Sequence, residues 1–205
     1  MPSRQNIPFT EGTFFITIVC YNHIPLIEKI DGYDIVYNWF NYLKKQGHLI
    51  NGYIIMPNHI HVLISFINTS HSINKIVGNG KRFMAYEFVN RLQFFKQDVL
   101  LKYLSDQVSY KKSESNKRHQ IWNLSFDWKE CRDDKFLNQK LEYMHDNPCK
   151  GKWDLCKAPV DYKHSSALFY LTGDQGVYEV NNILEINDIE FQITQRPLRE
   201  TLLRG

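Results

Sequence analysis

The sequence predicts an α+β domain in which helices pack against an antiparallel sheet. Three observations favour this fold class: short β-branched and aromatic runs typical of strands, amphipathic runs typical of helices, and a tight Pro-Asn-His connection between two strand candidates. The chain has 205 residues, of which 43% are hydrophobic. That is enough for one domain with a buried core, and it argues against a disordered polypeptide.

The first half of the chain contains four predicted elements. Residues 13–21 (TFFITIVCY) have the composition of a strand. Residues 31–46 place apolar side chains at helical spacing and end in two lysines before a glycine, so they predict a helix. Residues 49–56 and 60–66 predict two further strands, and the short connection at residues 57–59 predicts an antiparallel hairpin.

Residues 72–147 predict two more helices and a fourth strand. Residues 72–93 favour a helix, although Gly78 and Gly80 weaken its first half. Residues 120–128 predict a short strand. Residues 133–147 predict a strong helix, because aspartates open it, apolar residues recur at helical spacing, and a proline ends it.

A short helix closes the predicted domain. It lies in residues 164–173, with Ser165 or Ser166 as its cap and Gly173 as its end, so these serines are interpreted as structural rather than nucleophilic. The first six elements follow the ferredoxin-like order βαββαβ, with helices on one face of the sheet. We therefore expect one domain over residues 1–171 and an accessory tail over 172–205.

Charge is distributed unevenly along the chain. Residues 75–102 carry six basic side chains and two acidic ones, whereas residues 174–190 carry five acids and no lysine or arginine. A basic middle suits a polyanionic partner, and a solvated helix face would look the same. The four cysteines form no CxxC pair and no secretory signal opens the chain, so we expect no disulfides, no membrane span and a cytoplasmic protein.

Two histidines interrupt the third predicted strand. Side chains alternate along a strand, so Ile60, Val62 and Ile64 point to one face, and His59 and His61 share the other. The aliphatic face is the one expected to pack under helices, which leaves the histidines on an open face. Two imidazoles at this spacing can converge on one divalent cation. Spacing alone also allows two partly exposed histidines without a function.

Three segments together resemble one known family. MPNHIHVLI (residues 56–64), LEYMHDNPCKG (141–151) and APVDYKHSSALFYL (158–171) resemble, in order, segments of the single-tyrosine HUH transposases. These insertion-sequence-200-like proteins include the REP-associated tyrosine transposases. The resemblance covers about residues 10 to 171. It implies a metal-dependent enzyme (Mg or Mn) that cleaves and rejoins single-stranded DNA at or near a hairpin.

The resemblance identifies Tyr143 as the catalytic nucleophile that forms a 5′-phosphotyrosine intermediate. Helical spacing places Tyr143, Asn147 and Lys140 on one helix face. Asn147 would then be a third metal ligand beside the two histidines, or only an ordinary residue at a helix end. Because a phenol ionises only near pH ~10, the lysine could favour the phenolate, or it could contact DNA. Without the resemblance, Tyr143 would be interpreted as a half-buried aromatic residue.

DNA contact is expected in the basic middle of the chain. Lys75, Lys81 and Arg82 are the first candidates for phosphate binding, as is Lys140 on the tyrosine helix. Trp122 and Trp128 could stack on unpaired bases, and at least one of them is expected to pack in the core instead. The weaker basic candidates are Arg91, Lys111, Lys112, Lys117 and Arg118.

Four functional interpretations remain at this level. The first is an active single-strand DNA transposase, and the second is a domesticated nucleic-acid-binding protein of the same fold without transposition activity. A replication-initiator or relaxase type of HUH nickase and a metalloenzyme unrelated to DNA are less favoured. Relatives of the resembled family act as dimers or alone, so a homodimer is left open.

Overall fold

A single four-stranded antiparallel sheet organises the protein in the computed structural model, which describes residues 6–108, 118–151 and 153–183. The strand order is β2-β3-β1-β4, which is the order of the predicted βαββαβ arrangement. The predicted α+β class is therefore confirmed. The strands are β1 (Gly12–Val19), β2 (Leu49–Met56), β3 (His59–Phe66) and β4 (Asp127–Glu130).

Six α-helices are described, together with three single-turn 3₁₀ helices. The helices expected from the sequence are present within three residues of their predicted ends, whereas α1 and α4 were not anticipated. The α-helices are α1 (Leu26–Lys29), α2 (Tyr33–Lys45), α3 (Ile73–Phe94), α4 (Asp98–Asp106), α5 (Asp134–His145) and α6 (Ala167–Thr172). The 3₁₀ helices are Tyr21–His23, Asn147–Cys149 and Pro159–Asp161.

One face of the sheet carries the larger apolar core. Ile60, Val62 and Ile64 of β3 are completely buried there, as the alternation along the strand predicted. The side chains of α2 and α3 that join them include Phe40 and Phe88, both fully buried. Burial of each such side chain contributes roughly 1.5–3 kcal/mol, so this face supplies much of the stability.

Two glycines in α3 have different consequences. The helix spans Ile73–Phe94 without a break at either glycine, and Ser72 is its N-cap. A Cβ at Gly80 would lie 2.1 Å from the Trp39 Nε1 atom, so the glycine permits the close contact between α3 and α2. At Gly78 a Cβ would meet nothing within 4 Å. The glycine that weakens helix propensity at position 80 is therefore required by packing.

The second face of the sheet is covered by α5. Leu137, Leu141 and Met144 of this helix pack with Phe15 and Leu63 in a separate, smaller apolar cluster. The expectation that the histidine face is open is therefore only partly correct. His61 is 5% exposed, because the helix that follows β4 returns across this face.

The close approach of α5 to the sheet depends on Gly52 in β2. A Cβ at this position would lie 2.8 Å from Cδ2 of Leu141 and 2.9 Å from Cε of Met144. The β2–β3 register also shifts between Ile50 and Gly52. A larger residue at position 52 would move the helix away from the strand.

The fourth strand lies later in the chain than predicted. It spans Asp127–Glu130 rather than residues 120–128. Trp122 makes only an isolated bridge with Cys20, and its indole Nε1 donates to the Lys81 carbonyl at 2.9 Å. Tertiary contacts of the indole and the preceding loop therefore override the local β propensity of this segment.

The described part of the expected tail packs on the domain. Tyr178, Val180 and Ile183 are buried, and the Asn181 N–H donates to the Ile50 carbonyl at 2.8 Å. This part of the expected tail thus contributes to the packing of the domain, and the boundary expected after residue 171 stays a prediction. Residues 184–205, the rest of the expected tail, lie outside the described residues. In the described ranges, no helix is both long and apolar enough to cross a bilayer.

Candidate active site

The two histidines lie side by side at the start of β3. Their ring centroids are 4.7 Å apart. The Nδ1 atom of His59 is 2.6 Å from Oδ1 of Asn58, and the Nδ1 atom of His61 is 2.9 Å from Oγ1 of Thr17. Hydrogen bonds at Nδ1 fix the orientation of an imidazole, so a cation would be bound through Nε2.

The environment of His61 holds its ring in the neutral form. Burial, the neighbouring His59 and the ammonium of Lys140 lower the pKa of His61 to about 3. Phe15 stacks on the ring with centroids 5.2 Å apart. A neutral imidazole is the form that binds a metal ion, so this environment suits a ligand better than a proton carrier.

Tyr143 lies over the same sheet face. Its ring centroid is 5.5 Å from that of His61 and 6.3 Å from that of Phe15. The tyrosine is 54% exposed, although it sits on a helix whose neighbouring residue Met144 is fully buried. Helical spacing therefore turns the apolar side chains towards the sheet and leaves the phenol at the edge of the contact, where a substrate can reach it.

Lys140 lies one helical turn before Tyr143 and places a positive charge beside the phenol ring. Its Nζ atom is 5.6 Å from the centroid of the Tyr143 ring, 5.4 Å from that of Phe15 and 5.0 Å from that of Phe136. These cation–π contacts hold the lysine at this edge of the helix.

Asn147 occupies a different local structure from the one predicted. The α-helix ends at His145, and Asn147 begins the 3₁₀ helix Asn147–Cys149. The helical spacing that related it to Tyr143 therefore does not continue to this residue. In the described ranges, no group of three or more His, Cys, Asp or Glu side chains could hold a metal ion. The two histidines fit two positions of a coordination shell, and an amide or substrate oxygen would have to add others.

His145 and the serines of the last helix have structural roles. His145 Nε2 is 2.9 Å from the Ser166 Oγ atom, which also accepts a 2.9 Å hydrogen bond from the Tyr53 N–H. Ser165 Oγ accepts from the Ala167 N–H at 3.1 Å. Burial lowers the pKa of His145 to about 4, so the ring is neutral in this network.

Two residues of β1 complete the site and were not identified from the sequence. Thr17 pairs with His61 across the β1–β3 ladder, and Phe15 lies on the same face two residues earlier. The signal that could have found them is the strand register. Once β1 is placed beside β3, alternation puts the odd-numbered residues of β1 on the histidine face.

The predicted DNA-binding residues are placed differently from one another. Lys75 and Arg82 are exposed on α3. Lys81 is only 9% exposed, and its Nζ atom donates to the carbonyls of Asn123 and Ser125, each at 3.0 Å. The ammonium of Lys81 is therefore buried and holds a loop, which disfavours the phosphate contact expected from the sequence, and that contact stays a prediction.

Two weaker candidates for DNA contact are also engaged elsewhere. Arg91 forms a bidentate pair with Asp34, at 2.6 and 2.8 Å, and joins α3 to α2. Trp122 is 4% exposed and packs against Phe88, so it is not placed to stack on a base. Lys111, Lys112 and Lys117 lie outside the described residues.

The fold is shared with a solved DNA-processing protein. A REP-associated tyrosine transposase bound to a REP hairpin aligns with 89% of this chain and 93% of its own, with a TM-score of 0.57 and 16% identity. A candidate transposase from Deinococcus radiodurans R1 covers 71% of this chain and 97% of its own, with a TM-score of 0.40 and 16% identity. The first similarity shows a common fold. No family model and no curated protein match the sequence.

Proposed function

We propose that the protein is a metal-dependent single-stranded DNA transposase or strand transferase that acts through a 5′-phosphotyrosine at or near a DNA hairpin. The observation that supports this most is the placement of an exposed phenol beside two paired imidazoles. The Tyr143 and His61 ring centroids are 5.5 Å apart, and those of His61 and His59 are 4.7 Å apart. The fold shared with a tyrosine transposase supports the same conclusion.

In this proposal Tyr143 is the nucleophile. Its phenolic oxygen attacks the phosphorus of a DNA phosphodiester, forming an Oη–P bond and breaking the bond from phosphorus to the 3′ oxygen. The departing 3′ oxygen takes up a proton, and the phenol gives up its own. Attack by a second 3′-hydroxyl reverses these steps and rejoins DNA, so the bond energy is conserved.

Lys140 and the histidines would prepare the site for this step. Lys140 holds its ammonium beside the Tyr143 ring, where it would contact a phosphate of the bound DNA. His59 and His61 would bind the metal through Nε2 while their Nδ1 atoms remain hydrogen-bonded, and Asn147 could add an oxygen ligand. When bound, Mg²⁺ or Mn²⁺ would act as a Lewis acid that polarises the scissile phosphate.

DNA affinity would come mainly from the exposed side of α3. Arg82 lies there with its guanidinium 5.2 Å from the Phe83 ring centroid, and Phe83 and Tyr86 are 57% and 55% exposed. Lys75 precedes them on the same helix. Cationic and aromatic side chains together suit the phosphates and unpaired bases of a hairpin. Because α3 and α5 cover opposite faces of the sheet, DNA that reaches both would pass around a sheet edge.

This separation also supports a second candidate function. A protein that bound DNA through α3 alone would need neither Tyr143 nor the histidines. It would correspond to a domesticated DNA-binding protein of the same fold. Formation of a covalent adduct distinguishes the two candidates.

The deciding experiment mixes the full chain with labelled single-stranded hairpin DNA of randomised sequence and Mn²⁺. Active protein should give a labelled protein–DNA band that survives denaturation. Tyr143→Phe should abolish the band, whereas Tyr42→Phe on α2 is a matched control, because Tyr42 is 51% exposed against 54% for Tyr143. An adduct that persists in Tyr143→Phe would exclude this nucleophile. Hairpin binding without any adduct would favour the DNA-binding candidate.

Metal binding can be measured without DNA. Titration of the protein with Mn²⁺, followed by electron paramagnetic resonance, should show one site. His59→Ala and His61→Ala should each weaken it at least about tenfold, as loss of a ligand does. His71→Ala is the control, since that exposed histidine lies on the loop before α3. Equal Mn²⁺ affinity in all variants would contradict the assignment.

A further inference from the structure

The segment that joins α5 to α6 brings two of the four cysteines together. The Sγ atoms of Cys149 and Cys156 are 3.3 Å apart, and both thiols are free and partly exposed. Cys20 and Cys131 are buried in the two apolar clusters instead. The spacing of seven residues contains no CxxC signature, so this proximity arises only in the folded chain.

The backbone holds the two cysteines in this position. Cys149 ends the 3₁₀ helix that begins at Asn147, and its N–H donates to the Asp146 carbonyl at 3.1 Å. The Leu155 N–H donates to the Pro148 carbonyl at 2.7 Å. The residues that immediately precede the two cysteines are thus hydrogen-bonded to each other. The thiols face each other because the chain has already turned back.

The turn itself uses backbone conformations that favour a fixed path. Gly151 has φ of 67° and Asp154 has φ of 38°, both in the left-handed region. Such residues reverse the chain within a few positions. The proximity of the thiols is therefore a property of the loop and not of a chance side-chain rotamer.

We propose that Cys149 and Cys156 are an oxidative modification site, a thiol pair that closes to an intramolecular disulfide. This inference does not depend on the proposed DNA chemistry. Closure needs the sulfur atoms to approach by little more than 1 Å, to about 2.05 Å. Both cysteines are partly exposed, as a reversible modification site requires.

Glutathione disulfide serves as the oxidant that can test this pair. One cysteine sulfur attacks a glutathione sulfur, forms a mixed disulfide and expels one glutathione. The second cysteine sulfur then attacks the first and expels the other glutathione. The two cysteines lose two electrons and two protons, and glutathione disulfide gains both, so the exchange is balanced. Burial and the contact with Cys149 raise the pKa of Cys156.

The experiment equilibrates the reduced full-length protein with defined ratios of reduced and oxidised glutathione under argon. Remaining thiols are alkylated and counted by intact-mass spectrometry, and proteolysis identifies the linked peptides. We expect two thiols to disappear together, with a Cys149–Cys156 crosslink. Cys149→Ser and Cys156→Ser should remove this transition, whereas Cys20→Ala and Cys131→Ala should retain it.

A second measurement shows whether the fold positions the pair. In urea the same chain should need at least about tenfold more oxidised glutathione relative to reduced, because the effective concentration of the two thiols falls. Equal ratios in folded and unfolded protein would overturn the proposal. So would glutathione adducts on single cysteines without the crosslink, or disulfides formed only between molecules.

Discussion

The two faces of the sheet differ in what their side chains do. On the face under α2 and α3, β3 contributes Ile60, Val62 and Ile64, all completely buried in a large apolar cluster. On the face under α5, the same strand contributes His59 and His61 beside a half-exposed Tyr143. Neighbouring residues of one strand thus have separate roles.

The difference shows how a small domain can hold polar groups rigidly. His61 lies between the buried aliphatic residues Ile60 and Val62, and His59 follows the buried Asn58, so the backbone is fixed beside both histidines. Rigid strands keep functional groups in position more accurately than loops do. The free energy of unfolding should therefore depend mainly on the face under α2 and α3, and DNA cleavage on the face under α5.

The largest effect should come from removing the phenolic oxygen on the α5 face. Tyr143→Phe should slow adduct formation with hairpin DNA by at least about 1000-fold, since no other nucleophile replaces it. The free energy of unfolding should change by less than about 0.5 kcal/mol, because the side chain is half exposed. Single-turnover kinetics and urea unfolding give the two values. A destabilisation above about 1 kcal/mol would assign the phenol a structural role instead.

The next effect should appear on the opposite face of β3. Ile60→Ala should lower the free energy of unfolding by about 2–5 kcal/mol, because it leaves a cavity in the larger cluster. His59→Ala, at the adjacent position, should cost less than about 1 kcal/mol, since its ring is partly exposed. Urea unfolding monitored by circular dichroism compares the two variants. Similar losses in both would break the proposed division between the faces.

A smaller effect should follow from filling the close contact between α3 and α2. Gly80→Ala should destabilise the protein by about 1–3 kcal/mol, because the added methyl group overlaps the Trp39 indole. Gly78→Ala is the matched control in the same helix. It meets nothing within 4 Å and should stabilise the protein by about 0.5–1 kcal/mol. Stabilisation by both substitutions would show that the contact is not tight.

The smallest effect should distinguish two neighbouring basic residues of α3. Arg82→Ala should reduce the slope of the logarithm of the hairpin-binding constant against the logarithm of salt concentration by about one unit. Its free energy of unfolding should change by less than about 0.5 kcal/mol. Lys81→Met should leave that slope unchanged and cost about 1–3 kcal/mol, because two carbonyls lose their donor. Fluorescence anisotropy at several salt concentrations measures the slopes. A reduced slope for Lys81→Met would show that the Lys81 side chain contacts DNA.

The sequence predicted the fold and the histidine face because both depend on local periodicity. Alternation assigned Ile60 and His61 to opposite faces, and helical spacing with an aspartate cap located α5, where Asp133 accepts from the Phe136 N–H. The resemblance of short segments then singled out Tyr143. The structure places that residue beside His61, and its catalytic role stays a prediction.

The features that sequence could not predict depend on contacts between distant segments. Lys81 looked like a surface cation, since no local pattern shows that two loop carbonyls will surround its ammonium. The fourth strand was displaced because Trp122 is held by tertiary contacts. The proximity of Cys149 and Cys156 likewise depends on how the loop turns, which spacing alone does not specify.

The glycine in β2 has a consequence for the geometry of the site. A Cβ at position 52 would meet Leu141 and Met144 first. A single carbon atom there would raise the last turns of α5 above the sheet, and Tyr143 belongs to those turns. The distance between Tyr143 and the two histidines therefore depends on a glycine in the neighbouring strand β2. A substitution at position 52, in evolution or by design, would therefore change the position of Tyr143 without changing any residue of the candidate site.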